Sequence, residues 1–292
     1  MTRICERAAF ALVALLTASA CGERTGREAD AASGPIEGTL GEYALDAPSV
    51  QWNLPKRLRE ISGLAATEDG RVFGHDDERA VIYELDYHAG RIIKAFSLGD
   101  GVRDDFEGIA IAGADFYLMT SNGRIYRTRE GADGERVAFT AVETDLGRRC
   151  ELEGLAWDPE EEVLLLPCKL ARAPELQGRV AVFAWSPTLS QIVPNAGFEV
   201  AERDLASRIG DSHFNPSSIE RTSDGHLLLL AGRQHAVAEL NRDGSIVAVV
   251  ELAKTYHRQP EGLTLSPDDD LIVADEGEEG RARIAVYRRK EQ

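Results

Sequence analysis

Basic residues are scarce in this chain: 33 Lys and Arg stand against 50 Asp and Glu, a formal net charge of −17 over 292 residues. Nucleic-acid binding relies on Lys and Arg patches that neutralise phosphates, so the composition excludes nucleic acid as a partner. The six histidines are scattered without paired spacing, and there are only four cysteines. Zinc and copper sites draw on His and Cys, and no such set is present. A Gly-x-Ser-x-Gly nucleophile elbow is missing; Gly210-Asp211-Ser212-His213 is a chance-level match to an esterase phrase. Long apolar runs are missing too. The stretch Ala8 to Leu16 is too short for a membrane-spanning helix, which takes about 20 residues, and no later segment approaches that length.

That short stretch has another reading. Arg3 and Arg7 flank a charged start, and Thr17-Ala18-Ser19-Ala20-Cys21 follows the apolar core. This is the layout of an export signal over residues 1–20. Ala18-Ser19-Ala20-Cys21 resembles a bacterial lipobox, with Cys21 as the lipidated residue; ordinary cleavage after Ala20 is the alternative. Residues 21–42, rich in Gly, Ala, Glu and Thr, read as a flexible tether. A tether behind a lipidated Cys places the rest of the chain, residues 43–292, at the cell envelope, facing the periplasm or the cell surface. With 43% hydrophobic and 28% charged residues the chain can form a packed globule, here one large domain expected as a monomer. Export also permits a disulfide between Cys150 and Cys168; two small buried thiols are the alternative.

A phrase recurs along this domain. It reads Glu60-Ile61-Ser62-Gly63-Leu64, Asp105-Phe106-Glu107-Gly108-Ile109, Glu151-Leu152-Glu153-Gly154-Leu155, Asn215-Pro216-Ser217-Ser218-Ile219 and Gln259-Pro260-Glu261-Gly262-Leu263. Its last residues are separated by 45, 46, 64 and 44 positions, a period typical of repeat architectures. Each of the first four units offers four short strands with tight turns, the content of one propeller blade. The long third interval holds an outer excursion around Ser186 to His213. The fifth unit supplies only three strands, and the piece Tyr43 to Trp52 is left over. The sequence therefore predicts an all-β, five-bladed β-propeller closed by an N-terminal strand joining the last blade, an arrangement that removes exposed sheet edges.

First strands of propeller blades line the axis, so equivalent residues of the phrase form rings. One ring is Ser62, Glu107, Glu153, Ser217 and Glu261. A second is Glu60, Asp105, Glu151, Asn215 and Gln259. Three glutamates on one narrow axis repel each other and call for a compensating cation. Oxygen-only ligands favour a hard ion, and calcium, with 6–8 oxygens in flexible geometry, suits them better than magnesium. The simpler alternative is that these carboxylates accept backbone hydrogen bonds from the adjacent blade. Residues ending the second strands are expected to share the mouth: Asp76, Asn122, Lys169, Arg233 and Asp275, with His213 from a crossing loop. Such a mixed set suits an anionic ligand or forms interblade ion pairs.

Taken in order, these phrases, with Ile82-Tyr83-Glu84-Leu85-Asp86 and Ala274-Asp275-Glu276, resemble the SdiA-regulated family across about Tyr43 to Arg288. The resemblance implies a five-bladed propeller distantly related to NHL-repeat proteins, with a calcium site on Glu107, Glu153 and Glu261. It departs from the family's pattern at His75-Asp76-Asp77-Glu78, where Asp-Glu directly after an apolar strand is expected. Two functions remain open. One is a calcium-bearing, membrane-tethered module that binds a small molecule or an envelope partner. The other is a calcium-dependent hydrolase of phosphoesters or lactones working at the propeller mouth.

Overall fold

The computed structural model describes residues 36–277 and 280–290. The expected signal segment, Cys21 and most of the tether lie outside these described residues. Five antiparallel sheets follow one another along the chain. From the axis outward, blade 1 is Ile61–Ala66, Val72–Asp76, Val81–Asp86 and Arg91–Leu98. Blade 2 is Phe106–Ala112, Asp115–Thr120, Arg124–Arg129 and Phe139–Glu143. In blade 3 both Cys150–Leu152 and Ala156–Asp158 pair with Val163–Ala171, followed by Arg179–Ser186 and a split outer edge, Gln191–Ile192 and Phe198–Ala201. Blade 4 is Ser218–Arg221, Leu227–Ala231, Ala236–Leu240 and Ile246–Glu251. Blade 5 is Pro260–Leu265, Leu271–Asp275, Arg283–Tyr287 and, outermost, Val50–Asn53. The innermost strands touch in cyclic order, the fifth returning to the first. The protein is a closed five-bladed propeller.

The second strands show why the sequence folds this way. Leu227-Leu228-Leu229-Leu230-Ala231 is buried throughout, because each blade is sandwiched between two others. A strand covered on both faces reads as a continuous apolar run. Its side chains still alternate. Leu227 and Leu229 pack with Val180 and Val182 of blade 3, whereas Leu228 and Leu230 pack with Leu271 and Val273 of blade 5. Five such apolar clusters fill the five gaps between blades.

One strand ends elsewhere than the sequence predicts. The closing strand is shorter than Tyr43 to Trp52: Val50–Asn53 pairs with Arg283–Tyr287, and Tyr43 makes an isolated bridge to Arg289. The outer part of blade 2 is shared between blades. Arg136–Val137 runs parallel to the outer strand of blade 1, and only Phe139–Glu143 belongs to blade 2. Chain packing also begins before residue 43. Leu40 is fully buried, and the backbone N–H groups of Thr39 and Leu40 each donate to the Glu239 carboxylate of blade 4 at 2.8 Å. His226 Nδ1 donates to the same carboxylate at 2.6 Å.

Candidate functional site

Ring residues reach the axis through a local defect. The ladder between first and second strands slips between Ile61 and Gly63, between Phe106 and Gly108, and between Pro260 and Gly262. The skipped residues are Ser62, Glu107 and Glu261. A bulge leaves its extra residue out of the ladder and re-aims the side chain. Blade 3 slips between Glu151 and Leu152, and Gly154 turns through φ 87°. The small residue after the ring position has a steric cause. A Cβ on Gly108 would lie 2.8 Å from Gly154 backbone, and one on Gly154 would lie 2.8 Å from Ser218 Cα. Inner strands meet backbone to backbone there, and Gly154 N–H donates to Glu107 O at 2.6 Å.

The three glutamates share one electrostatic environment. Burial pushes Glu107 up to about 8, with Asp105 and Glu261 adding to the shift and Lys169 opposing it. Burial also raises Glu153 well above the ordinary range, helped by Glu261 and Glu107. One cation is built into this group: Lys169 Nζ is ion-paired with Glu153. Burial alone would lower the lysine, but the charge of Glu153 and then Glu261 and Glu107 outweighs it, so the ammonium is held protonated. Ser62 Oγ donates to Glu107 Oε2 at a long 3.4 Å. Ser217 Oγ is engaged by backbone instead, accepting from Gly232 N–H at 3.1 Å and lying 3.3 Å from Pro260 O. Second-ring residues bond to neighbours: Asp105 accepts from Ser121 Oγ at 2.5 Å, Glu151 pairs with Arg172 at 3.3 Å, and Asn215 accepts from Gln234 at 3.1 Å.

The donor set is one a hard cation accepts: three carboxylates and a hydroxyl, all oxygen. Its arrangement is not a closed cage. Among the described residues no group of three or more His, Cys, Asp or Glu is placed to hold an ion, and Lys169 takes one carboxylate. A calcium ion here requires Lys169 to leave Glu153 and the glutamates to draw together.

Beside the glutamates lies a cavity of about 320 Å³, lined by Glu153, Lys169, Asn215, Ser217, Gly232, Arg233, His235, Arg258, Gln259 and Glu261. Of the residues expected at the mouth, Lys169 and Arg233 line it. The others are elsewhere. Asp76 bonds to Arg79 at 2.8 Å beside a separate pocket. Asn122 accepts from Arg172 at 3.0 Å. His213 is 65% exposed and faces Glu202 on the outer excursion. Asp275 is buried and accepts from His257 Nδ1 at 2.8 Å and from the N–H groups of Arg258 and Gln259 at 2.8 and 3.2 Å. His257 Nε2 lies 2.6 Å from the Tyr287 hydroxyl. This buried chain fixes the loop that delivers Glu261. Cys150 and Cys168 are disulfide-bonded, tying together the two strands of blade 3 that lead to Glu153 and Lys169. Sequence reasoning missed His235; its signal was the polar turn Gly232-Arg233-Gln234-His235 directly after a buried strand.

Fold and site together define a five-bladed propeller with a charged axial mouth. The chain belongs to the SdiA-regulated family, which it matches over residues 44–278. No curated protein matches it in sequence. Among solved structures it is similar to the glutaminyl cyclase of Myxococcus xanthus, at 14% identity and a TM-score of 0.58, covering 82% of this chain and 94% of that one. It is also similar to the aldose sugar dehydrogenase of Streptomyces coelicolor in its PQQ-bound form, at 15% identity and a TM-score of 0.55, covering 84% and 100%. At such identities the likeness is one of fold.

Proposed function

We propose that this is an exported, lipid-anchored binding module of the bacterial envelope, with calcium held at the axial mouth by Glu107, Glu153 and Glu261. The observation that carries the reading is the convergence of three partly or fully buried carboxylates served by a single built-in cation, Lys169. Burial and mutual repulsion otherwise favour protons on Glu107 and Glu153, and a divalent ion would replace those protons and let the carboxylates ionise together. The signal-like start, Cys21 and the tether support envelope attachment; among the described residues no helix is long and apolar enough to cross a membrane. Arg233, Arg258 and His235 on the cavity rim supply positive and hydrogen-bonding groups for a small ligand.

Calcium added to chelator-treated protein should raise the melting temperature, since a ligand of the native state stabilises it. Lys169→Met removes the competing ammonium and should enlarge that rise. An unchanged melting temperature in both proteins would sink the calcium reading. The alternative, a calcium-dependent hydrolase of phosphoesters or lactones, rests on the same mouth, where the ion would polarise a substrate oxygen. A calcium-supplemented substrate screen separates the two: turnover lost in Glu153→Gln favours the hydrolase.

A further inference from the structure

The five inner strands begin at the charged mouth, so their far ends gather at the opposite end of the axis. A second cavity of about 590 Å³ opens there, lined by all five blades. Its lining is mixed: Leu64, Ile109, Leu155, Trp157 and Leu265 supply apolar wall, and Glu68, Asp69, Arg71, Arg221 and Asp269 supply charge. The repeat itself singles out one residue. At the step after the apolar anchor of each phrase stand Ala65, Ala110, Ala156, Glu220 and Thr264. Three alanines leave space on blades 1 to 3, and blade 4 places a carboxyl beside it.

Glu220 is half-buried and lines this cavity. It accepts hydrogen bonds from Thr264 Oγ1 at 2.6 Å and from Arg221 N–H at 2.9 Å. Among the described residues no cation is within the groups that act on it. The two guanidiniums of the wall are committed elsewhere, Arg71 to Asp69 and Glu130, and Arg221 to Asp158 and Glu160. Asp69 and Asp269 are likewise paired with arginines, and Glu68 is exposed, so Glu220 is the least exposed carboxyl of the lining without an arginine or lysine partner among the described residues, with Leu64, Ile109, Leu155 and Leu265 in the same cavity. Placing a carboxyl there without a countercharge is costly, and an incoming cation with an apolar body removes that cost. We propose that this end of the channel binds a small organic amine, its ammonium against Glu220 and its hydrocarbon part against the apolar walls.

The test uses the whole chain and hexylamine, hexanol and hexanoate as probes, with binding followed by calorimetry. Hexylamine should bind at least tenfold more tightly than hexanol, and hexanoate should not bind measurably. Glu220→Gln should weaken hexylamine at least tenfold and leave hexanol unchanged, whereas Glu261→Gln at the mouth should leave hexylamine binding intact. Equal binding of the three probes overturns the proposal on the unmodified chain, whatever a variant does. Loss of hexylamine binding in Glu261→Gln but not in Glu220→Gln places the amine at the mouth and overturns it too.

Discussion

The two ends of the channel are made by the same five strands and differ in almost every other respect. At the mouth, bulges turn ring residues inward, and three glutamates, one lysine and a rim of arginines crowd together. At the far end the strands run on regularly, three of the five ring positions are alanine, and Glu220 is the one ring carboxyl in a cavity of mixed lining. The mouth is specified by polar bonds, each with a required partner. The far end is specified by side-chain volume. A defect in the ladder, repeated in register, is what lets one short strand serve two chemistries.

The comparison can be broken at its polar end first. Asp275→Ala leaves His257 and the Arg258 and Gln259 N–H groups without their acceptor; breaking a buried hydrogen-bonded charge of this kind costs about 3–5 kcal/mol. Denaturant unfolding measures it, and a loss below about 1 kcal/mol would show that the mouth loop does not depend on this network.

The second prediction separates the ends by pH. Glu107 is raised to about 8 and Glu220 to about 7, both chiefly by burial, from an ordinary value of 4.5. The folded chain thus holds protons that the unfolded chain has released, and stability falls as pH rises. The window runs from near 4.5 to about 8 for Glu107, and to about 7 for Glu220. Glu220→Gln should flatten only the lower window, and calcium should flatten the Glu107 contribution alone. Melting curves across that range check both; identical slopes in wild type and Glu220→Gln would refute the assignment.

The smallest effect is expected at Ser62. Among the described residues its hydroxyl makes only the long bond to Glu107, so Ser62→Ala should change stability by no more than about 0.5 kcal/mol, the low end for one intramolecular hydrogen bond. A larger loss in the same unfolding assay would mean that the serine is a structural member of the ring.

Much of this architecture was legible because a propeller repeats. The spacing of the Glu-Gly-Leu phrases predicted five blades, and the surplus N-terminal strand went with the incomplete last one. Glycine in the phrase was readable as close approach, and the contacts at Gly108 and Gly154 supply the reason. The cavity lining was less legible. Asp76 and Asp275 end their strands at equivalent positions, where blade 2 has Thr120 and Asn122 lies in the turn beyond, but a side chain's partner depends on the neighbouring loop, which does not repeat. Arg79, Arg172 and His257 claim these residues locally. Lys169 was visible as a polar strand end, yet its pairing with Glu153 of the same blade, within range of the charges of Glu107 and Glu261, is a matter of three-dimensional distance.

Glu239 grips the backbone at Thr39 and Leu40, ten residues ahead of the strand that closes the ring. Its place in the chain makes it a strain relief. A pull arriving from the N-terminal side loads blade 4 first, through two hydrogen bonds and a buried leucine. The seam between Val50–Asn53 and Arg283–Tyr287 bears tension only after that grip has slipped.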